Sequence, residues 1–529
     1  MTATLDRPVT QELEPPGWRD RLQPLVNGAG GWSITLAVTV IAGLLRLLRV
    51  DQPASTLTAK GVVVGPGQMF DELYYACDAH SLMTYGVEHA STSTDGSFCN
   101  LASGSPAFVV HPPLGKWLIG IGEQLLGFNS WGWRISAAVF GTLTILLVVR
   151  IARRMTGSTL LGGLAGLLLA LDGLHFVQSR IATLDVFVCF FIVAAFGALL
   201  VDRDQIRQRL AGSSEAELMA GGYLGRRPWR LVAAVCMGLG LATKWSSLFP
   251  FVVMLVLTLC YEAGARRAAG IRAPWRTTLR KTTAPFLGSY LVLPLAVYLG
   301  SWTGWFATSG GWDRHWADDH KASALTSWMP GPLRSLWHYH HEMWHFHQTL
   351  DAKHPYQSHP LSWPFLGRPV SYYYPPGVKL GTYGCTSSKP EGCSREVLAI
   401  GTPAIWWMML PVAIALLARW ASRRDWASAS LVLLMSVSIL AWIPSDLKHR
   451  TMFLFYALPS VPFLCIGLAL VAGWLLGPPL ASRRPWAAGG LGVYVSLVVL
   501  NFYYLYPVLA AVTLPYASWH RRMWFSSWI

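Results

Sequence analysis

GWSITLAVTVIAGLLRLL, residues 31–48, is the first long apolar segment of the chain and shows the pattern that decides its fold. A run of this length is close to the ~20 residues that a helix needs to cross a bilayer. Similar segments recur to the end of the chain, so the sequence predicts an all-α integral membrane protein with about eleven transmembrane helices. We place these helices near residues 31–48, 132–150, 159–176, 183–201, 231–246, 248–262, 284–301, 402–419, 428–443, 453–476 and 488–509.

The composition supports the membrane class. Of the 529 residues, 53% are hydrophobic and 13% are charged, and the mean hydropathy is +0.38. Soluble domains carry about 25% charged residues. Twenty-six tryptophans suit a protein with two interfacial belts. The net charge of +15 comes from clusters in short loops between apolar segments, a pattern that indicates orientation in a membrane and excludes nucleic acid as the partner.

These basic clusters predict which loops face the cytoplasm. If every cluster lies inside, the spans alternate consistently, with the N-terminus inside and the C-terminus outside. The clusters are Arg7, Arg19 and Arg21, then Arg150, Arg153 and Arg154, then the basic residues of 203–230 and 266–281, then Arg419, Arg423 and Arg424, and finally Arg483 and Arg484.

This topology divides the chain into a cytoplasmic tail, residues 1–30, and a multipass domain, residues 31–529. The tail contains the acidic, proline-rich run Glu12-Leu-Glu-Pro-Pro, which is unlike a cleavable signal, so we expect residues 31–48 to act as a signal anchor. Two large loops, about 50–130 and 302–400, lie outside and hold most of the histidines. The chemistry is therefore predicted on the outer face.

Four of the eight cysteines lie in the outer loops, where disulfides persist. Cys385 and Cys393 close a short Gly/Ser/Pro loop and are the favoured pair, and Cys77 with Cys99 is the second candidate. The remaining four lie in predicted spans as packing thiols.

Phe70-Asp71-Glu72 places two adjacent carboxylates just beyond the first span. Acidic groups beside a membrane lose hydration and are retained with partners or for a function. One interpretation is a solvated helix start or a salt bridge from Asp71 to Arg46. The other is a general base whose pKa is set by desolvation and nearby cations. Adjacent helical residues face different ways, so only one of the two carboxylates is expected to reach a reacting atom.

The first outer loop also contains His111-Pro-Pro-Leu-Gly-Lys116. Its prolines fit an interfacial elbow that starts a helix. His111 and Lys116 alternatively bind an anionic group.

Several charges lie at span ends. Arg180 is interpreted as a cation whose side chain extends to the membrane interface. The turn with Asp446, Lys448 and Arg450 is interpreted as a solvated loop. Arg134 and Lys244 are the preferred phosphate contacts, because cations stabilise charge developing on a leaving phosphate.

His341-Glu342-Met343-Trp344-His345 matches the zinc-binding pattern H-E-x-x-H, which makes a membrane zinc protease a distant alternative. No extended metzincin-like sequence follows, and the stretch lies in a Trp/His-rich loop. We expect these histidines to line a polar substrate cleft or to contact lipid head groups.

Taken in order, several motifs resemble the protein O-mannosyltransferase family, specifically the bacterial polyprenyl-phosphate-mannose–protein mannosyltransferases. The ordered set, which spans residues 46–462, is Arg46-Leu-Leu-Arg-Val-Asp-Gln-Pro53, Phe70-Asp71-Glu72, His111-Pro-Pro-Leu-Gly-Lys116, Thr243-Lys244-Trp245, His354-Pro-Tyr-Gln-Ser358, Trp363-Pro364 and Phe455-Tyr-Ala-Leu-Pro459.

The resemblance implies a GT-C glycosyltransferase that moves mannose from a polyprenyl monophosphate to Ser or Thr of exported proteins, including those emerging from the secretion machinery. It implies Asp71, paired with Glu72, as the catalytic base in an inverting single displacement. Donor phosphate or sugar contacts are expected from Arg46, Arg134, Lys244, His111 and Lys116, and the acceptor cleft is expected to include His341, His345 and His354.

The same resemblance implies a multipass protein of the plasma membrane, in contact with its lipids. No cofactor and no metal site is implied, and the need for a divalent cation is left open by the sequence. Two features depart from the family: about seventeen residues separate Pro53 from Phe70, and the second outer loop is too short for the carbohydrate-binding-like domain of fungal members.

Two rival functions remain open from the sequence. A related enzyme on the same scaffold would move another polyprenyl-linked sugar, such as arabinose or aminoarabinose, to a lipid or glycan. A transporter would show pseudo-repeated broken spans, which the sequence lacks.

Overall fold

The computed structural model describes residues 29–54, 56–57, 63–64, 67–91, 99–101, 104–477 and 484–529. The predicted cytoplasmic tail, residues 1–30, lies outside the described residues except for its last two, which begin the first helix.

Helices dominate this part of the chain. In order, they are α1 (Ala29–Leu47), α2 (Glu72–Tyr85), α3 (Leu114–Leu126), α4 (Ser130–Thr156), α5 (Thr159–Ala170), α6 (Gly173–Gln178), α7 (Asp185–Ala211), α8 (Glu215–Met219), α9 (Pro228–Leu241), α10 (Leu248–Ala268), α11 (Pro274–Leu287), α12 (Leu293–Ser301), α13 (Thr303–Ala307), α14 (Trp316–Asp319), α15 (Gly331–Thr349), α16 (Pro403–Trp406), α17 (Met409–Arg423), α18 (Trp426–Leu440), α19 (Ile443–Asp446), α20 (Ser460–Leu476), α21 (Pro485–Leu509) and α22 (Tyr516–His520).

Every segment predicted as a span contains a helix. Among the described residues, seven helical stretches are long and apolar enough to cross a membrane: Ser130–Thr156, Asp185–Ala211, Trp245–Ala268, Pro274–Ser301, Pro403–Arg423, Trp426–Asp446 and Pro485–Leu509. Four shorter apolar helices accompany them: Gly31–Leu47, Thr159–Ala170, Pro228–Leu241 and Ser460–Leu476. The prediction of a multipass helical membrane protein is therefore confirmed.

Three predicted spans have different boundaries in the structure, each for a local reason. The span at 159–176 breaks at Asp172, whose side chain accepts a hydrogen bond from the His175 amide at 2.8 Å and starts α6. The span at 453–476 begins only at Ser460, after Pro459. The span at 284–301 starts earlier, at Pro274, and passes through a π-helical turn that follows Pro285.

Two buried helices form the centre of the bundle. Helix α7 packs against α4, α9 and α10, and α20 packs against α5, α17 and α18. Helices α4 and α5 lie close together at Gly166, where an added Cβ would approach the Val149 side chain to 2.2 Å.

Among the residues that the structure describes, six short strands form three antiparallel pairs. The strands are β1 (Thr56–Leu57), β2 (Val63–Val64), β3 (Val370–Tyr373), β4 (Cys393–Ser394), β5 (Val397–Ala399) and β6 (Leu514–Pro515), paired as β1 with β2, β3 with β5 and β4 with β6. The last pair joins the C-terminal segment to the second large loop, so the two lie together.

Both proposed cysteine pairs are joined in the structure. Disulfides link Cys385 to Cys393 and Cys77 to Cys99. The second of these connects helix α2 to the remainder of the first large loop.

Candidate active site

Asp71 lies immediately before helix α2, and its position depends on the conformation of Phe70. Phe70 has a φ of 49°, in the left-handed region that a bulky side chain rarely adopts. Its ring stacks on Tyr372 with centroids 4.9 Å apart and packs edge-on against Phe453 and Phe455, both at 5.8 Å. This aromatic packing stabilises the turn that presents Asp71.

Glu72 is completely buried, and both oxygens of its carboxylate accept hydrogen bonds. Arg134 donates to both oxygens, from Nε at 2.7 Å and from Nη2 at 2.8 Å. The amides of Met69 and Ala182 donate to the same carboxylate at 2.9 and 2.8 Å. All four lone-pair positions of the Glu72 carboxylate are therefore occupied by protein donors, and its catalytic role stays a prediction.

The N–H groups of Arg134 likewise all have hydrogen-bond acceptors. Besides Glu72, its guanidinium donates to the carbonyl oxygens of Val50 at 3.1 Å, Pro53 at 3.3 Å and Gly67 at 2.9 Å. The side chain is fully buried. In this structure Arg134 holds together the two sides of residues 54–66, and its phosphate contact stays a prediction.

Asp71 differs sharply from its neighbour. Within the described chain, no hydrogen-bond donor is bonded to its carboxylate, and the alternative of a salt bridge to Arg46 is not formed. Burial raises the pKa of Asp71 to about 6, with the Lys244 ammonium opposing this shift and the Asp185 carboxylate adding to it. Such a carboxyl is ionised at neutral pH and retains enough basicity to accept a proton.

Lys244 brings a buried cation to the same cleft. Its Nζ donates to Asp185 Oδ1 at 3.0 Å and Oδ2 at 3.1 Å, and lies 5.0 Å from the ring centroid of Tyr456. Burial opposes the charge, but the nearby Asp185 carboxylate raises the pKa of Lys244 above its usual value. The ammonium is therefore charged and adjacent to Asp71, as a phosphate contact requires.

His111 and Lys116 occupy different environments. The His111 ring stacks on His347 with centroids 5.2 Å apart, and burial, assisted by the Lys244 charge, lowers its pKa well below the usual range. Lys116 is fully buried, forms an ion pair with Glu88 and donates to the His111 carbonyl at 3.2 Å. The Lys116 ammonium is thus paired with protein groups, and its phosphate contact stays a prediction, whereas His111 lies beside His347 as a neutral ring.

Arg46 belongs to a separate buried network. Its guanidinium donates to the Ala42 carbonyl at 3.1 Å and to His175 Nδ1 at 2.9 Å. Asp172 accepts from the Trp406 indole at 2.7 Å and from the His175 amide at 2.8 Å. This set joins α1, α6 and α16, so Arg46 contributes to helix packing, and its contact with the donor stays a prediction.

The predicted cleft histidines separate into two groups. His354 packs edge-on against Phe70 at 6.1 Å and is thereby close to Asp71. His341 and His345 lie on the exposed face of α15, and His341 lines a different cavity of about 380 Å³. They are not among the residues that contact Asp71 or Lys244.

The same exposed face carries the H-E-x-x-H match. His341 Nδ1 lies 3.2 Å from Glu342 Oε1. Within the described residues, no group of three or more His, Cys, Asp or Glu side chains is arranged to hold a metal ion. The protease interpretation therefore lacks a third ligand in the part of the chain that the structure describes.

Two residues of the cleft were missed as site residues from the sequence. His347 donates from Nε2 to the Val110 carbonyl at 2.8 Å and accepts at Nδ1 from Arg450 Nη2 at 3.3 Å. Arg450 Nη1 is buried and, among the described residues, has no partner. For His347, helical spacing in the sequence could have indicated its position, because it lies four residues beyond Met343 on the buried stripe of α15.

Family models match two regions of the chain. Residues 100–300 match the model described as dolichyl-phosphate-mannose-protein mannosyltransferase, and residues 332–528 match the C-terminal four TMM region of protein-O-mannosyltransferase.

Individual proteins are similar over nearly the whole chain. The polyprenol-phosphate-mannose–protein mannosyltransferase of Mycolicibacterium smegmatis is 38% identical over 513 residues, covering 95% of this chain and 94% of that protein. That of Mycobacterium tuberculosis is 37% identical over 512 residues, covering 94% and 92%. The fold is similar to the Saccharomyces cerevisiae protein O-mannosyltransferase Pmt1–Pmt2 complex bound to its sugar donor, with a TM-score of 0.68, 14% identity and coverage of 96% and 94%.

Proposed function

Since the chain belongs to the protein O-mannosyltransferase family, we propose that it transfers mannose from a polyprenyl monophosphate to Ser or Thr hydroxyls of a protein. The proposal includes about eleven membrane crossings, a cytoplasmic N-terminus, and a site and C-terminus on the outer face of the plasma membrane. The acceptors are then exported proteins, and the polyprenyl chain lies between the helices.

Asp71 acts as the general base. The observation that carries this assignment is a half-buried carboxylate that has no hydrogen-bond partner among the described residues and lies beside the Lys244 charge. A Ser or Thr hydroxyl is a poor nucleophile until its proton is removed. Asp71 accepts that proton as the hydroxyl oxygen attacks the anomeric carbon.

Lys244 and Arg450 stabilise the leaving phosphate. Both residues influence the same two rings, His111 and His347, electrostatically, which indicates that the two cations converge on one region. Arg450 has a buried Nη1 with no partner among the described residues, and Lys244 supplies a compact charge. Positive groups held in place before the reaction stabilise the charge that develops on the phosphate as the glycosidic bond breaks.

The reaction is a single displacement. The hydroxyl oxygen bonds to the anomeric carbon while the carbon–oxygen bond to phosphate breaks, through an oxocarbenium-like state. Attack from the face opposite the phosphate inverts the centre, so a β-linked donor gives an α-linked product. The proton ends on Asp71 and the electron pair on the lipid phosphate, without need of a cofactor or metal.

The test is transfer of labelled mannose from polyprenyl phosphate to a Ser/Thr peptide by the purified protein. The wild type should transfer mannose, whereas Asp71→Asn should lose about 10²- to 10⁴-fold in rate, the range for general bases. The exposed Asp319→Asn is the matched control and should behave as wild type.

Two outcomes would contradict the proposal. Near-normal transfer by Asp71→Asn would remove the base assignment. Transfer of arabinose or aminoarabinose by the wild type, with none of mannose, would remove the donor assignment.

A further inference from the structure

Tyr372 lies at an irregular position of strand β3. In the pairing with β5, Ser371 faces Leu398 and Tyr373 faces Val397, so Tyr372 is the extra residue of a bulge. Bulges redirect a side chain and occur often beside active sites. Here the side chain is buried, with 5% of its surface exposed, and its ring stacks on Phe70 directly before Asp71.

A hydrogen-bond chain fixes the polarity of the Tyr372 hydroxyl. Thr183 Oγ1 donates to Gln178 Oε1 at 2.7 Å, because the amide oxygen can only accept. The amide nitrogen of Gln178 therefore faces Tyr372 and donates to its hydroxyl oxygen at 2.6 Å. The tyrosine proton must be donated elsewhere, and no acceptor for it is found among the described residues.

The groups around this hydroxyl belong to the candidate site. Asp185, Asp71 and Tyr456 all act electrostatically on Tyr372. Burial, strengthened by these carboxylates, raises the pKa of Tyr372 well above its usual value, so the hydroxyl keeps its proton. A buried donor without an acceptor carries a desolvation cost, which a ligand oxygen would relieve.

The charge of the surroundings selects the kind of ligand oxygen. Asp71 and Asp185 both disfavour an anion beside Tyr372, whereas Lys244 and Arg450 offer positive charge for a phosphate. A sugar hydroxyl can accept from Tyr372 and donate its own proton to a carboxylate. In this arrangement the Tyr372 proton and the sugar proton both have acceptors, and no second negative charge is placed beside the carboxylates.

We propose that the Tyr372 hydroxyl donates a hydrogen bond to a hydroxyl oxygen of the transferred hexose and is a determinant of sugar specificity. The inference rests on the proposed function and extends it to one sugar contact. Thr183 and Gln178 are positioning residues, since they act through Tyr372.

The experiment compares Tyr372→Phe with wild type on a series of polyprenyl-phosphate mannose donors, each lacking one hydroxyl. Tyr372→Phe keeps the ring on Phe70 and should lower kcat/KM for mannose about 2- to 12-fold, the value of one neutral hydrogen bond. One deoxy donor should show the same loss with wild type and no further loss with the variant. Inhibition by polyprenyl monophosphate, which lacks the sugar, should be equal for both proteins.

Two further variants separate a sugar contact from a structural effect. Tyr373→Phe, at the next position of β3, is the control and should transfer mannose as wild type does. Thr183→Val frees the Gln178 amide to rotate and should give a smaller loss that depends on the same deoxy donor. This variant keeps the test decisive if Tyr372→Phe does not fold.

Three results would overturn the inference while leaving the proposed function intact. They are wild-type kcat/KM for Tyr372→Phe, an equal fractional loss with every deoxy donor, and weaker inhibition by the sugar-free lipid phosphate. Failure of the wild type to transfer mannose would instead overturn the proposed function, and this inference with it.

Discussion

Asp71 and Glu72 are neighbours in the chain, yet their carboxylates lie in two different environments. Glu72 accepts four hydrogen bonds, two of them from Arg134, and has no surface exposed. Asp71 has none from the described residues and lies beside Lys244 and Asp185. The same functional group thus serves as an anchor on one side of the helix start and, in the proposed mechanism, as the reactive group on the other.

The difference shows how to distinguish the two roles in a buried site. A carboxylate whose lone pairs all accept hydrogen bonds from the protein stabilises the fold. A carboxylate without such hydrogen bonds has a raised pKa because of its desolvation, and its lone pairs are available to a substrate. Anchoring Glu72 to Arg134 and Phe70 to the aromatic cluster holds Asp71 between two fixed residues.

Removing the anchor should give the largest effect on stability. Glu72→Gln leaves the Arg134 charge buried without a counter-charge, which costs about 3–5 kcal/mol. The midpoint of thermal unfolding in detergent should therefore fall strongly, while Asp71→Asn should leave it unchanged. Equal midpoints for the two variants would show that the two carboxylates are not in different environments.

Removing the Lys244 cation should act on the transfer rate as well as on the buried pair with Asp185. Lys244→Met should lower the rate of mannose transfer about 100-fold or more, since a charge opposite the leaving phosphate is lost. The exposed Lys448→Met, of identical chemistry, is the control and should retain activity. A similar loss in both variants would point to net charge rather than to the cleft.

Substitutions on the two faces of helix α15 should give the smallest effect on mannose transfer. His347→Ala removes the acceptor for Arg450 Nη2 and should raise the KM for the lipid donor about 2- to 12-fold, the value of one hydrogen bond. His341→Ala, on the exposed face, should leave both KM and kcat unchanged. A chelator-sensitive activity lost in His341→Ala would restore the metalloprotease alternative.

Local sequence patterns predict most of the helices correctly. Apolar length locates the candidate spans, because each span must satisfy its own backbone in a bilayer, but it does not predict the loop helices α2 and α15. Boundaries fail where a single residue decides them, as Asp172 does by capping α6 and Pro459 does before α20.

The site is predictable only in part, because charge shows that a residue matters but not which partner it has. Asp71 and Lys244 stand out by their position beside spans, and the structure brings them together. Arg134 gives the same signal, but its partner lies 62 residues away in the chain. Arg450 and Tyr372 have no local signature at all, since their importance depends on contacts with distant segments.

The pH dependence of kcat/KM for mannose transfer tests the central claim most directly. Asp71 must be ionised to accept the hydroxyl proton, and burial raises its pKa to about 6. The account predicts full activity above that pH and a tenfold decrease per unit below it. Because the Lys244 ammonium lowers the pKa of Asp71, the residual activity of Lys244→Met should show the decrease at higher pH. A flat profile between pH 5 and 7, or a decrease that does not move in Lys244→Met, would contradict Asp71 as the base.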